Sequence, residues 1–214
     1  MNHRSHIIVL IFLLCLAPPA LCGEIEGRVD GWPQATLTAA HHGVVWLVGS
    51  PGPVDVKSRS GTKPTMSQIK GQFSPSFLVV VAGETVAMPN KDEVAHNVYS
   101  NSSSRKFNLG FYAKGDDREV TFATPGVVEV GCSIHQSMRA TIVVVPNRYY
   151  AAIREDGMFR LSNVPKGTYT LKLWGNHVSP QSRDITVPAV GKVEVTLDGR
   201  TSQLDRFSKP MREN

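Results

Sequence analysis

Short apolar, β-branched runs recur along the chain, and each is closed by turn-forming residues. Phe77 to Val81 and Thr85 to Met88 flank Ala82-Gly83-Glu84, a hairpin-like break. Glu119 to Phe122 leads through Thr124-Pro125-Gly126 into Val127 to Cys132, and Ala140 to Val145 is stopped by Pro146. Farther on, Met158 to Leu161 follows Glu155-Asp156-Gly157, Thr168 to Trp174 follows Pro165-Lys166-Gly167, and Lys192 to Leu197 alternates. No stretch sustains a helical period beyond a turn or two. Many short strands with closely spaced turns predict an all-β chain of sandwiches rather than an α/β sheet. The polar, Pro/Gly/Ser-rich stretch of residues 50–70 predicts a linker leading into an edge strand. Residues 99–118 predict a long, partly irregular excursion, and residues 199–214 a polar tail.

The first residues bear on compartment. Arg4 precedes an eleven-residue apolar stretch, Ile7 to Ala17, followed by Pro18-Pro19-Ala20-Leu21-Cys22-Gly23. That stretch is too short to span a bilayer, and small residues follow it, so residues 1–22 predict a signal peptide cut after Cys22 or Gly23. A lipid anchor on Cys22 is the rival, disfavoured by the bulky Leu21. An exported chain, periplasmic or secreted, is expected, with no integral membrane span after cleavage. The full chain carries 23 Lys and Arg against 18 Asp and Glu. Losing Arg4 leaves 22 against 18, a mild basic excess with no cationic run of the kind that binds nucleic acid.

Of Cys15, Cys22 and Cys132, only Cys132 then remains, which excludes a disulfide framework within one chain. Its surroundings read Val128-Glu129-Val130-Gly131-Cys132-Ser133-Ile134-His135-Gln136-Ser137-Met138. Residues two apart on a strand share a face, so Val128, Val130 and Cys132 are expected to point inward and Glu129 outward. A thiolate, an imidazole and a thioether then share one short loop between neighbouring strands. His96, at the end of another strand-like segment, is the candidate fourth ligand. Two histidines, a cysteine and a weak axial methionine make a blue-copper electron-transfer site, so one copper ion is expected on His96, Cys132, His135 and Met138. The bland alternative is a buried free cysteine beside a satisfied histidine. A Cys/His nucleophile pair lacks an orienting acid and a helix start, and a dinuclear copper centre would need a second cysteine.

These residues resemble the cupredoxin family. Cys-x2-His-x2-Met is most similar to the short ligand loop of amicyanins, and Thr121-Phe122-x-x-Pro125-Gly126 resembles the family's approach to that loop. Phe73-x-Pro75-x-x-Leu78-x-Val80-x-x-Gly83-x-Thr85-Val86 resembles its early strands. The resemblance covers residues 66–146 and implies a Greek-key β-sandwich. It departs in Ala95, where proline often precedes the histidine, and in Val128 and Val130, where aromatics are common. It implies that Asn97 braces the cysteine loop through backbone and side chain, and that His135 lies nearest the surface as the electron's exit, near apolar residues such as Ile134. The turns and alternating strands of residues 148–198 resemble a carboxypeptidase regulatory-like or transthyretin-like β-domain, whose first strands look like Ile25 to Asp30 and Val44 to Leu47. A smaller second sandwich, split between residues 24–50 and 148–198 with the copper domain inserted, is therefore expected. The functional expectation is a non-enzymatic one-electron carrier between redox partner proteins. A copper-trafficking protein that never cycles its metal, or a structural module with a degenerate core, are the alternatives.

Overall fold

The structure is a computed structural model and describes residues 22–33, 42–49, 62–176 and 178–199. Residues 1–21 of the expected signal peptide, residues 50–61 of the expected linker over 50–70 and the tail beyond Gly199 lie outside those residues, whereas Cys22 and Ser67–Ile69 are strand residues. The described chain is all-β. Its strands are β1 (Cys22–Asp30), β2 (Gly43–Val48), β3 (Ser67–Ile69), β4 (Gln72–Ser74), β5 (Phe77–Val81), β6 (Thr85–Ala87), β7 (His96–Ser102) and β8 (Arg105–Tyr112). Then come β9 (Glu119–Thr121), β10 (Gly126–Cys132), β11 (Arg139–Val145), β12 (Tyr150–Ala152), β13 (Met158–Pro165), β14 (Gly167–Gly175), β15 (Val178–Val187) and β16 (Lys192–Asp198). Among the described residues, no helix is long and apolar enough to cross a membrane.

One sandwich is built on the five-stranded sheet β5-β11-β10-β7-β8, with the small pairs β3–β4 and β6–β9 closing over it. Alternation decides what each strand buries. On β10, Val128, Val130 and Cys132 face this sandwich's core, and β11 adds Ala140, Ile142 and Val144. Phe122, Met88, Val86 and Val98 fill the rest, all fully buried. The other sandwich packs the sheet β13-β1-β16 against β12-β2-β14-β15. β1, from the start of the chain, lies antiparallel to β13 and parallel to β16. Likewise β2 pairs with β12 and β14. Its core holds Ile25, Val45, Leu47, Phe159, Leu161, Leu171 and Leu173.

A third apolar cluster joins the two sandwiches. Val44 and Trp174 meet Val81, Val143 and Val145, with Trp46, Phe77, Val79, Val127 and Tyr150 packed around them. This explains why β2 and β11 read as nearly unbroken apolar runs: each has one face in its own core and the other in the seam.

Residues 99–118 are more regular than expected up to Tyr112 and irregular over residues 113–118. They form most of a regular hairpin, β7 against β8, with Ser102 opposite Arg105. Ser103-Ser104 is the tight turn, and the strands look irregular in sequence because β8 is a sheet edge with mostly exposed side chains.

Candidate metal centre

Three strand ends and one loop converge at one end of the first sandwich. His96 opens β7, and its imidazole is completely buried. Cys132 closes β10, four per cent exposed, and pairs with Val98 of β7. This register sets the thiol beside His96 although 36 residues separate them in sequence. His135 follows three residues later and is only partly buried. Met138, one per cent exposed, ends the loop just before β11 begins at Arg139.

The loop is held shut by its own backbone. The Cys132 amide donates to the Met138 carbonyl (3.3 Å), and the Met138 amide donates to the His135 carbonyl (2.9 Å). The Ser133 amide donates to the Asn97 carbonyl (3.2 Å), tying the loop to β7. That contact is the backbone half of the brace expected from Asn97. The side-chain half is not seen: the buried Asn97 Oδ1 has no hydrogen-bond partner.

The donor atoms are close together. Cys132 Sγ lies 3.7 Å from His96 Nδ1 and 3.8 Å from His135 Nδ1, and the two Nδ1 atoms are 3.2 Å apart. All three lie within 4.8 Å of one another. An ion at the centre of a trigonal plane, about 2.0 Å from nitrogen and about 2.3 Å from sulfur, would separate such donors by about 3.5 Å to 3.7 Å. The observed spacings are compatible with that arrangement. A soft thiolate with two imidazoles suits copper, because sulfur stabilises Cu(I) and nitrogen suits Cu(II).

The orientation of His96 is set by a residue that the sequence reading passed over. His96 Nε2–H donates to Asp92 Oδ2 at 2.9 Å, a tautomer assigned from the hydrogen-bond network, which leaves the Nδ1 lone pair facing Cys132. Asp92 is itself anchored. Its carboxylate accepts the Gly71 amide (2.8 Å) and the Lys70 amide from the turn between β3 and β4. Burial pushes this carboxyl upward, but the Gly71 amide, His96 and the Lys70 amide outweigh it and hold it below the usual carboxylate value. Asn90 shapes the same loop: its side chain donates to the carbonyls of Val94 (2.9 Å) and Tyr112 (3.1 Å) and accepts the Asp92 amide (2.9 Å). The available signal was the spacing of Asp92 and His96, visible only once the β3–β4 turn is known to close over Asp92.

Parts of the chain are similar to known proteins. Residues 62–145 match the copper binding proteins of the plastocyanin/azurin family. Residues 143–195 match domain II of polysaccharide lyase family 4, where the sequence suggested a carboxypeptidase regulatory-like domain. No curated protein matches the chain. Among solved structures, a purple cupredoxin from Nitrosopumilus maritimus is 27% identical, covering 39% of this chain and all of that one, with a TM-score of 0.36. A copper-containing nitrite reductase from Thermus scotoductus is 24% identical over 45% of this chain and 25% of that one, TM-score 0.38. An amicyanin variant is 22% identical over 47% of this chain and 98% of that one, TM-score 0.37. The chain thus carries a cupredoxin domain.

Proposed function

We propose that this cupredoxin domain makes the chain an exported type 1 copper protein, carrying one electron at a time between redox partner proteins rather than acting as an enzyme. The observation that carries the reading is the close cluster of one thiol and two imidazole nitrogens, buried except at His135, with Met138 on the same closed loop. We assign His96, Cys132 and His135 as the strong ligands of one copper ion and Met138 as the weak axial one. Copper held there supplies a one-electron couple. The residues supply a frame that need not rearrange between oxidation states: Asp92 fixes one imidazole, and Asn97 and the loop's own hydrogen bonds fix the thiolate. His135, the less buried imidazole, is the proposed exit, beside the exposed Ile134. The split arrangement belongs to the proposal too. Residues 66–146 form the copper domain, inserted into a sandwich of residues 24–50 and 148–198; the pairing of β1 with β13 and β16 supports it.

The test is cyclic voltammetry of the full chain, combined with copper retention against a moderate chelator in each oxidation state. Reversible cycling with metal retained supports the carrier. Release on reduction, or transfer to an acceptor protein faster than electron exchange, favours copper trafficking. Two variants sharpen the assignment. Met138→Leu is expected to keep copper but raise the reduction potential, since a donor that favours Cu(II) is lost. Asp92→Ala is expected to weaken copper binding about 10-fold to 100-fold by freeing the His96 ring. Asp92→Asn, which retains an acceptor oxygen for the His96 N–H, is expected to restore much of that loss. Equal affinity in wild type and Asp92→Ala, read by competition with a chelator, would remove Asp92 from the account.

A further inference from the structure

The seam between the sandwiches is apolar for most of its length and polar at one end. β11 turns Val143 and Val145 toward the second sandwich, and by the same alternation Arg139 and Thr141 occupy that face nearer the ligand loop. β5 runs parallel to β11 with Phe77 in register with Thr141. Phe77 and Arg139 therefore emerge together, one residue beyond Met138. Here the sandwiches leave a cleft of about 180 Å³, lined in part by Ser76, Phe77, Arg139, Thr141 and Trp174.

One wall of the cleft is a stack of flat rings. The ring of Phe77 stacks on Trp174 at 5.6 Å and on His42 at 5.0 Å, each pair within 6° of parallel. Beside that wall, β11 offers hydrogen-bond donors. Arg139 spends its Nε–H on the Gln136 carbonyl (3.2 Å), and among the described residues its terminal nitrogens meet no carboxylate. Glu129, opposite Thr141 in the β10–β11 register, makes no ion pair with it. Thr141 is five per cent exposed; its amide donates to the Ser76 carbonyl (2.9 Å), while its hydroxyl has no hydrogen bond. A half-buried guanidinium that meets no carboxylate among the described residues, beside a hydroxyl free to bond, favours an anionic guest.

We propose that this cleft binds a small carboxylate with a flat apolar body. The carboxylate takes the Arg139 fork and the Thr141 hydroxyl, and the body lies against Phe77 and Trp174. The cleft has room for one small ring. The site does not depend on copper. Because Arg139 adjoins Met138, a guest bound there has its negative charge near the metal centre. On the copper reading above, it favours the more positive oxidation state and lowers the reduction potential, and by linkage it binds the oxidised protein more tightly.

Benzoate is the probe, titrated into the full chain without metal and followed by tryptophan fluorescence, since Trp174 is one of three tryptophans. Saturable binding is expected, about tenfold or more weaker in Arg139→Gln and weakened less in Thr141→Val. Both variants should melt at the wild-type temperature, which separates loss of the site from loss of the fold. No saturable change, or the same affinity in wild type and Arg139→Gln, overturns the proposal. The copper-loaded chain is then examined by voltammetry with and without benzoate. A shift there speaks to the copper reading, whereas binding to the metal-free chain does not, so the two failures are distinguishable.

Discussion

Cys132→Ser is expected to leave the sandwich folded and to abolish the intense visible band that Cu(II) produces in the wild-type chain. The band requires charge transfer from a thiolate, and a serine hydroxyl neither ionises near neutral pH nor offers a soft donor. Cys132 is four per cent exposed and packed among apolar neighbours, so a nearly isosteric change costs little volume. Copper affinity should fall with the band, because two imidazoles and a thioether remain. His135→Ala should behave differently: the thiolate persists, His135 is partly exposed, and a small ligand or water can enter, leaving a coloured but altered site. A full-strength band in Cys132→Ser would place the chromophore elsewhere.

Val143→Asp, in the seam between the sandwiches, is expected to be strongly destabilising. Val143 is one per cent exposed and sits in the apolar cluster between the sandwiches, against Val44 and Trp174. A carboxylate there either remains charged without a partner or is forced to take up a proton. Leaving an uncompensated buried charge costs about 3 to 5 kcal/mol. Against a total stability of about 5 to 15 kcal/mol, that is a large share. A melting temperature lower by roughly 10 °C follows for a chain of this length. Val190→Asp is the control: Val190 is 75% exposed, and a change of about 0.5 kcal/mol or less is expected. Equal melting temperatures for the two variants would mean that the seam is not a tightly packed interface.

The sequence made the ligand loop legible because the chemistry is concentrated there. Cys132, His135 and Met138 lie on one loop, and strand alternation alone turns Cys132 inward with Val128 and Val130. His96 was legible as a ligand at the end of a strand-like segment; it in fact opens β7, whose register with β10 brings it to the thiol. What escaped depends on contacts distant in sequence. Asp92 sits among Lys91 and Glu93 in a run that reads as solvated, and only the amides of Lys70 and Gly71 distinguish it. β15 escaped because half of its residues are exposed and Pro180 interrupts its pattern; as the edge of its sheet it needs few apolar residues. The seam escaped for a different reason. Alternation shows that Val143 and Val145 occupy the other face of β11, but not what covers that face.

The central claim is that these side chains hold one copper in a thiolate-bearing site, and a Cu(II) titration of the wild-type full chain tests it most directly. Visible absorption and electron paramagnetic resonance would be recorded on the same samples. The account predicts one intense thiolate-to-copper band that stops growing at one equivalent. It also predicts a resonance with the small copper hyperfine splitting of a covalent copper–sulfur bond. A colourless chain that takes up zinc in tetrahedral geometry as readily as copper would contradict it.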